Sequence, residues 1–218
     1  MCPDAPKDPR KHPRDWVEKD DSTPRDGRSA RAHRTRQAVA EALLALIEEG
    51  QLRPTSKEIA ERAGVSERTI FQHYEDLEKL FRVAADRIGE RVVRSMGFVS
   101  DEGPLDERIP RYLDELCALN ESMTPVRRAA RLHEPYSPVL GEALGTLRAN
   151  RRRGIERVFA NELSGLPDEQ SRADAVGAIS LLASWSSWDN MRHNFGCSVE
   201  ESRRIMGFGI RAILTASR

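Results

Sequence analysis

The chain has 218 residues, enough for one large domain or two modest ones with a real hydrophobic core. Its 35 basic and 35 acidic residues cancel, so any attraction to nucleic acid has to come from local charge. Charged residues make up 32% and aromatic residues 6%, beside frequent Ala, Leu, Glu and Arg, a mixture that favours helix over sheet.

No apolar run approaches the length of a membrane span, and the start is charged and Pro-rich rather than secretory. Cys2, Cys117 and Cys197 are scattered, with neither a disulfide framework nor a metal spacing, which fits a reducing cytoplasm.

Residues 1–33 hold Pro3, Pro6, Pro9, Pro13 and Pro24 among dense charges and few apolar side chains, which predicts a disordered tail. From Arg34 the pattern becomes helical: Val39, Leu43, Leu46 and Ile47 recur at three- and four-residue steps, and Gly50 ends the helix. A short helix follows, capped by Thr55 with Glu58 three residues on. Its inner face is Ile59, Ala60 and Ala63, and Gly64 suits a tight left-handed exit. Ser66 caps a third helix, from which Ile70 and Tyr74 point inward. Two short helices joined by a tight turn and braced by a longer one make a helix-turn-helix, predicted over residues 34–81. A long helix carrying Leu77, Leu80, Phe81, Ala84, Ile88 and Val92 links this unit to the rest.

The second domain is placed at residues 82–218, and residues 98–218 continue as helices, predicted at about 105–122, 125–133, 138–163, 168–193 and 198–216. Asp168 caps the fourth of these, and Ser198 with Glu201 forms a further capping box. No alternating strand pattern and no internal repeat is present, so the expected class is all-α.

The run from Thr55 to Phe81, TSKEIAERAGVSERTIFQHYEDLEKLF, resembles the DNA-binding signature of the TetR family of bacterial regulators. Thr55, Ile59, Ala60, Ala63, Gly64, Val65, Ser66, Thr69, Ile70, Phe71, His73, Tyr74, Glu78 and Leu80 carry the match. The resemblance implies a helix-turn-helix head followed by a helical effector-binding and dimerisation domain whose last two helices pair with a second subunit. The third helix is then expected to enter the major groove, presenting Glu67, Arg68, Thr69, Phe71, Gln72 and His73 beside the capping Ser66. Arg68 and Gln72 have the donor geometry to read guanine and adenine edges respectively. The resemblance further implies that Thr69, Phe71 and His73 touch phosphate and base methyl groups. Phe71 departs from the tyrosine usual there and has no hydroxyl for a phosphate. Thr55 and Lys57 open the second helix, where free N–H groups suit a phosphate. Leu77 replaces a lysine common in the family at a phosphate; it either faces the duplex or packs with Phe81 and Ala84.

Charge over residues 28–82 is nearly balanced, ten basic against nine acidic. Arg28, Arg31, Arg34 and Arg36 lie in a stretch without an acid; they either follow the DNA backbone or form a solvated charge run.

In the second domain, Ala173, Gly177, Ser180, Ser184 and Ser187 form a small-residue stripe, with Leu181, Leu182, Trp185 and Trp188 on an adjacent face. The last helix adds Ile205, Met206, Gly209, Ile210 and Ile213. These residues predict a two-fold interface of a homodimer, with packing inside one subunit as the alternative. A pocket is implied by the resemblance alone, with Tyr112, Leu116, Met123, Tyr136, Leu147, Arg151, Phe159 and Trp185 as candidate lining residues. Arg151 interrupts the apolar row of Leu140, Leu144, Leu147, Ile155 and Val158. It either holds an anionic effector or, the favoured alternative, snorkels or pairs with a glutamate.

The expected function is a cytoplasmic, sequence-specific regulator, a repressor released from an inverted-repeat DNA operator by a small-molecule effector. A DNA-binding dimer controlled without a small ligand is the alternative. An enzyme is disfavoured: the five histidines are dispersed, and no phosphate-binding loop, nucleophile elbow or dinucleotide fingerprint is present. No metal or other cofactor is called for.

Overall fold

The computed structural model describes residues 27–73, 77–96 and 99–215. Among the described residues ten α-helices run α1 Gly27–Glu48, α2 Ser56–Ala63, α3 Glu67–His73, α4 Leu77–Met96, α5 Leu105–His133, α6 Pro138–Val158, α7 Ala160–Ser164, α8 Glu169–Leu182, α9 Trp185–Asp189 and α10 Val199–Thr215. A 3₁₀ turn at Glu134–Tyr136 joins α5 to α6, and a π-helical turn at Asn190–Asn194 follows α9. Among the described residues there is no strand, so the fold is all-α.

The chain divides into a short unit ending at Thr35 and a large one from Arg36 onward. The predicted tail lies largely outside the described residues, but its last part does not: α1 begins at Gly27 rather than near Arg34. Within this first unit Thr35 Oγ donates to the Arg31 carbonyl at 3.0 Å, a bond along the helix, and Arg31 and Arg34 are exposed.

The large unit holds two apolar cores. Val39, Leu43, Leu44 and Ile47 of α1 meet Ile59 of α2, Ile70 of α3, and Leu80, Ala84 and Ile88 of α4 in the first. The second gathers Tyr112, Leu113 and Leu116 of α5, Ile155 of α6, Ile179 of α8, Trp185 and Trp188 of α9, and Met206 and Ile210 of α10. Helix α5 serves both, because its Met123 and Ala129 are buried in the first.

Local caps stand where the sequence places them. Ser171 N–H donates to Asp168 Oδ1 at 2.7 Å. Ser198 N–H donates to Glu201 Oε2 at 2.7 Å while Glu201 N–H returns to Ser198 Oγ at 3.1 Å. Three boundaries differ. Helix α5 continues through Pro125, where a break is predicted. A proline removes one backbone donor, and here packing on both cores outweighs that local loss. Thr124 reinforces the turn, donating to the Asn120 carbonyl at 2.8 Å and accepting from Trp185 Nε1 at 3.1 Å. The predicted helix 138–163 bends at Phe159, which separates α6 from α7. The predicted helix 168–193 breaks at Ser184, whose Oγ accepts from Ser187 N–H at 3.1 Å and starts α9. That turn drives Trp185 and Trp188 into the subunit's own core rather than onto an outer face.

Candidate nucleic-acid interface

The site rests on how α2 and α3 are fixed. Thr55 and Glu58 close a reciprocal box: Thr55 N–H donates to Glu58 Oε2 at 2.8 Å, Thr55 Oγ at 2.7 Å, and Glu58 N–H returns to Thr55 Oγ at 3.3 Å. The N–H and hydroxyl of Thr55 hold the Glu58 carboxyl below the usual carboxylate range. Thr55 therefore spends both donors inside the protein, and Glu58 puts a negative charge at the helix start expected to meet phosphate.

At the other end of α2, Gly64 takes φ +67° and Val65 N–H donates to the Ala60 carbonyl at 3.0 Å, which turns the chain sharply into α3. Any side chain at Gly64 would carry the strain of that left-handed backbone. Arg62 grips Glu49 in two bonds, at 2.7 and 2.5 Å, and pins α2 against the end of α1. That guanidinium keeps the Glu49 carboxyl below its ordinary value.

Helix α3 is capped by Ser66, whose Oγ accepts from Thr69 N–H at 3.1 Å and shares a hydrogen bond with Thr69 Oγ at 2.7 Å. Thr69 is thus half-buried and turned towards its cap. Ile70 is buried under α3, whereas Glu67, Arg68, Phe71 and Gln72 are exposed. These four lie at one-turn steps opposite Ile70 and make a single outer face. Phe71 is 60% exposed, a large apolar ring held out into solvent. The side chains of His73 and Leu77, and all of Tyr74, lie outside the described residues.

Between Thr55 and His73 three bases face three acids, and three of the six are committed. Arg62 is held by Glu49, Glu58 by Thr55, and Glu67 accepts from Ser56 Oγ at 2.7 Å. Lys57 and Arg68 are exposed and have no ion-pair partner among the described residues. The face therefore offers cations, the Gln72 amide and an apolar ring. Those are the donor types and methyl contacts used to read base edges and bind phosphate.

The expected ligand residues do not form one site. Tyr112, Leu116, Phe159 and Trp185 are buried in the second core, with the Tyr112 and Phe159 rings edge-to-face at 5.4 Å. Met123 belongs to the first core, Leu147 and Arg151 are half-buried, and Tyr136 is 86% exposed. Arg151 has no glutamate partner among the described residues; burial pulls its pKa down, with the buried Tyr112 opposing. The Tyr112 hydroxyl has no hydrogen-bond partner among the described residues, and burial pushes its pKa up. Among the described residues no group of three or more His, Cys, Asp or Glu side chains is placed to hold a metal, and no helix is long and apolar enough to cross a membrane.

The family model for bacterial regulatory proteins of the tetR family matches residues 39–84, from the core of α1 to the middle of α4. The tetR-family signature is thus confined to residues 39–84, which hold α2, α3 and the start of α4. Over most of the chain the fold is similar to solved structures described as transcriptional regulators. A transcriptional regulator from Rhodococcus sp. Rha1 aligns with TM-score 0.65 at 18% identity, covering 85% of this chain and 97% of that one. A protein described as a TetR-family transcriptional regulator from Mesorhizobium loti aligns with TM-score 0.56 at 22% identity, covering 88% and 98%. No curated protein sequence matches the chain. Helices α2 and α3 therefore lie inside the segment that matches a family of DNA-binding bacterial regulators.

Proposed function

We propose that the protein is a homodimeric repressor acting in the cytoplasm, which binds an inverted-repeat operator and is released by a small-molecule effector. Residues 34–81 form the reading head, and residues 82–218 bind the effector and the second subunit. The observation that carries the reading is the outer face of α3. Arg68, Phe71 and Gln72 stand on a helix whose start, underside and brace are all fixed, so their positions are set before DNA arrives. Arg68 and Gln72 read base edges, Lys57 meets phosphate, and the exposed Arg34 follows the backbone.

A second subunit is supported by Leu181 on α8 and by Ile205 and Phe208 on α10, which are 69%, 40% and 77% exposed. On α10 these two residues share one face with the exposed Ala212. Met206 and Ile210, which the sequence offers to the same interface, are buried inside the subunit. Gly209 lets α8 close on α10, since a Cβ there would lie 2.8 Å from Leu182 Cδ1. A two-fold dimer would place two α3 helices on half-sites centred about 34–36 Å apart, or a multiple of that.

Footprinting on genomic fragments, with sedimentation on the same preparation, tests this reading. An inverted repeat protected by a dimer is the expected result. A monomer at micromolar concentration that binds its operator tightly would overturn it.

A further inference from the structure

An apolar cavity of about 170 Å³ lies where the helix-turn-helix helices meet α5 and α6, outside the second core. Leu44, Ile59 and Phe81 line it from one side, and Val126, Leu144 and Leu147 from the other. Its size is comparable with the roughly 150 Å³ apolar cavity that admits a benzene ring. Ionisable residues are few in its wall, and all are basic: Arg53, Arg127 and His133, with no carboxylate among the described lining residues. His133 is stacked on Phe81, ring centroids 5.1 Å apart.

Arg127 is the polar feature that needs explaining. Its guanidinium sits 5.2 Å from the Trp185 ring centroid, and among the described residues it makes no hydrogen bond or ion pair. The acid that acts on it, Glu134, is paired with Arg148 at 3.5 Å. Arg151, Arg148 and Arg131 add positive charge around it. Burial pulls the Arg127 pKa down, and these three arginines add to that against the opposing pull of Glu134. A partly buried guanidinium with aromatic contact, its one neighbouring acid already paired with Arg148 and no carboxylate among the described residues hydrogen-bonded to it, is an incomplete site, since its five donors match a carboxylate in two parallel bonds.

We propose that this cavity holds a small aromatic or branched-aliphatic carboxylate, with the apolar part between Phe81 and Val126 and the carboxylate on Arg127. A neutral ligand of the same shape would fill the space but leave Arg127 uncompensated. A cationic one would meet three basic groups and no acid. The regulatory consequence rests on the effector-release reading. Leu44, Ile59, Leu80 and Ala84 both line the cavity and brace α3, so occupancy favours whichever head position makes room for the ligand.

The test titrates the full-length, DNA-free protein by calorimetry with phenylacetate, its neutral isostere phenylacetamide, and phenethylamine. Phenylacetate should bind at least tenfold more tightly than the amide, and the amine should not bind. Arg127→Met should weaken phenylacetate tenfold or more and leave phenylacetamide unchanged. Ala143→Phe, which fills the cavity from α6, should abolish both. Circular dichroism melting of each variant checks its fold, and the ligand series on the wild-type protein decides the issue if Arg127→Met does not fold. Phenylacetamide or phenethylamine binding as tightly as phenylacetate would overturn the proposal, as would no phenylacetate binding at millimolar concentration. Operator release is read separately by gel shift. Phenylacetate binding without release upholds the site and overturns the effector-release reading.

Discussion

Ser56 and Glu67 are hydrogen-bonded at 2.7 Å, Oγ to Oε1, and so link the first turn of α2 directly to the first turn of α3. The bond links the two helix starts and places a carboxylate on the face proposed to meet DNA. Glu67→Gln keeps the acceptor and removes the charge. Affinity for DNA of any sequence should then rise several-fold at low salt, with the gain shrinking as salt screens the lost repulsion. Equal affinities for the two proteins at low salt would place Glu67 away from the duplex.

Arg68→Ala and Gln72→Ala should each relax base preference at one position per half-site. Loss of a bidentate contact costs about 1–3 kcal/mol. Melting temperatures should stay unchanged, because both side chains are exposed. Selection from a randomised operator library is the measurement, and unchanged preference in both variants would refute the docking.

Arg108 and Glu162 form a buried pair at 2.5 Å that ties α5 to α7. The same guanidinium donates to the Gly103 carbonyl at 2.9 Å and the Val158 carbonyl at 2.5 Å. Arg108→Met would strand a buried carboxylate and should destabilise the protein by about 3–5 kcal/mol. The double variant Arg108→Met, Glu162→Leu should recover most of that loss, because no lone charge remains. Urea unfolding of the three proteins is the measurement; a double variant as unstable as the single one would show that the bonds to the two carbonyls, not the charge pair, carry the stability.

The capping box gives a pH prediction. The folded-state pKa of Glu58 is depressed, so the unfolded state takes up its proton first. The associated stability is fully present above the unfolded value, about 4.3, and is lost as pH falls through the folded one. Glu58→Gln should therefore unfold less steeply with acid below about pH 4.5, measured by thermal melts across a pH series. Parallel curves for the two proteins would show that the box carries no proton linkage.

What could be read from the sequence was what is decided locally. Thr55 with Glu58, Asp168, and Ser198 with Glu201 cap helices through contacts three residues apart, and Gly64 meets a backbone requirement of its own turn. The outer face of α3 follows from periodicity around Ile70. Ser184 was hidden because Leu181, Trp185 and Trp188 keep helical spacing across the break. Pro125 misled because its cost is local, whereas the packing that overrides it comes from both cores. The place of Arg127 over Trp185 depends on residues far apart in the chain, which no periodicity in either segment reports.

Helix α5, 29 residues and roughly 43 Å long, carries a different lesson. Because Met123 and Ala129 complete the core under the helix-turn-helix, the proposed reading head is not an interchangeable module. A fragment cut after α4, or a chimaera with another regulator's body, would leave Leu43, Leu44 and Leu80 facing water where α5 should lie. Recombination between such regulators is thus constrained to join them ahead of α1 or to exchange α5 together with the head. Substitutions on that stretch of α5 are answerable to the head's stability as well as to the body's.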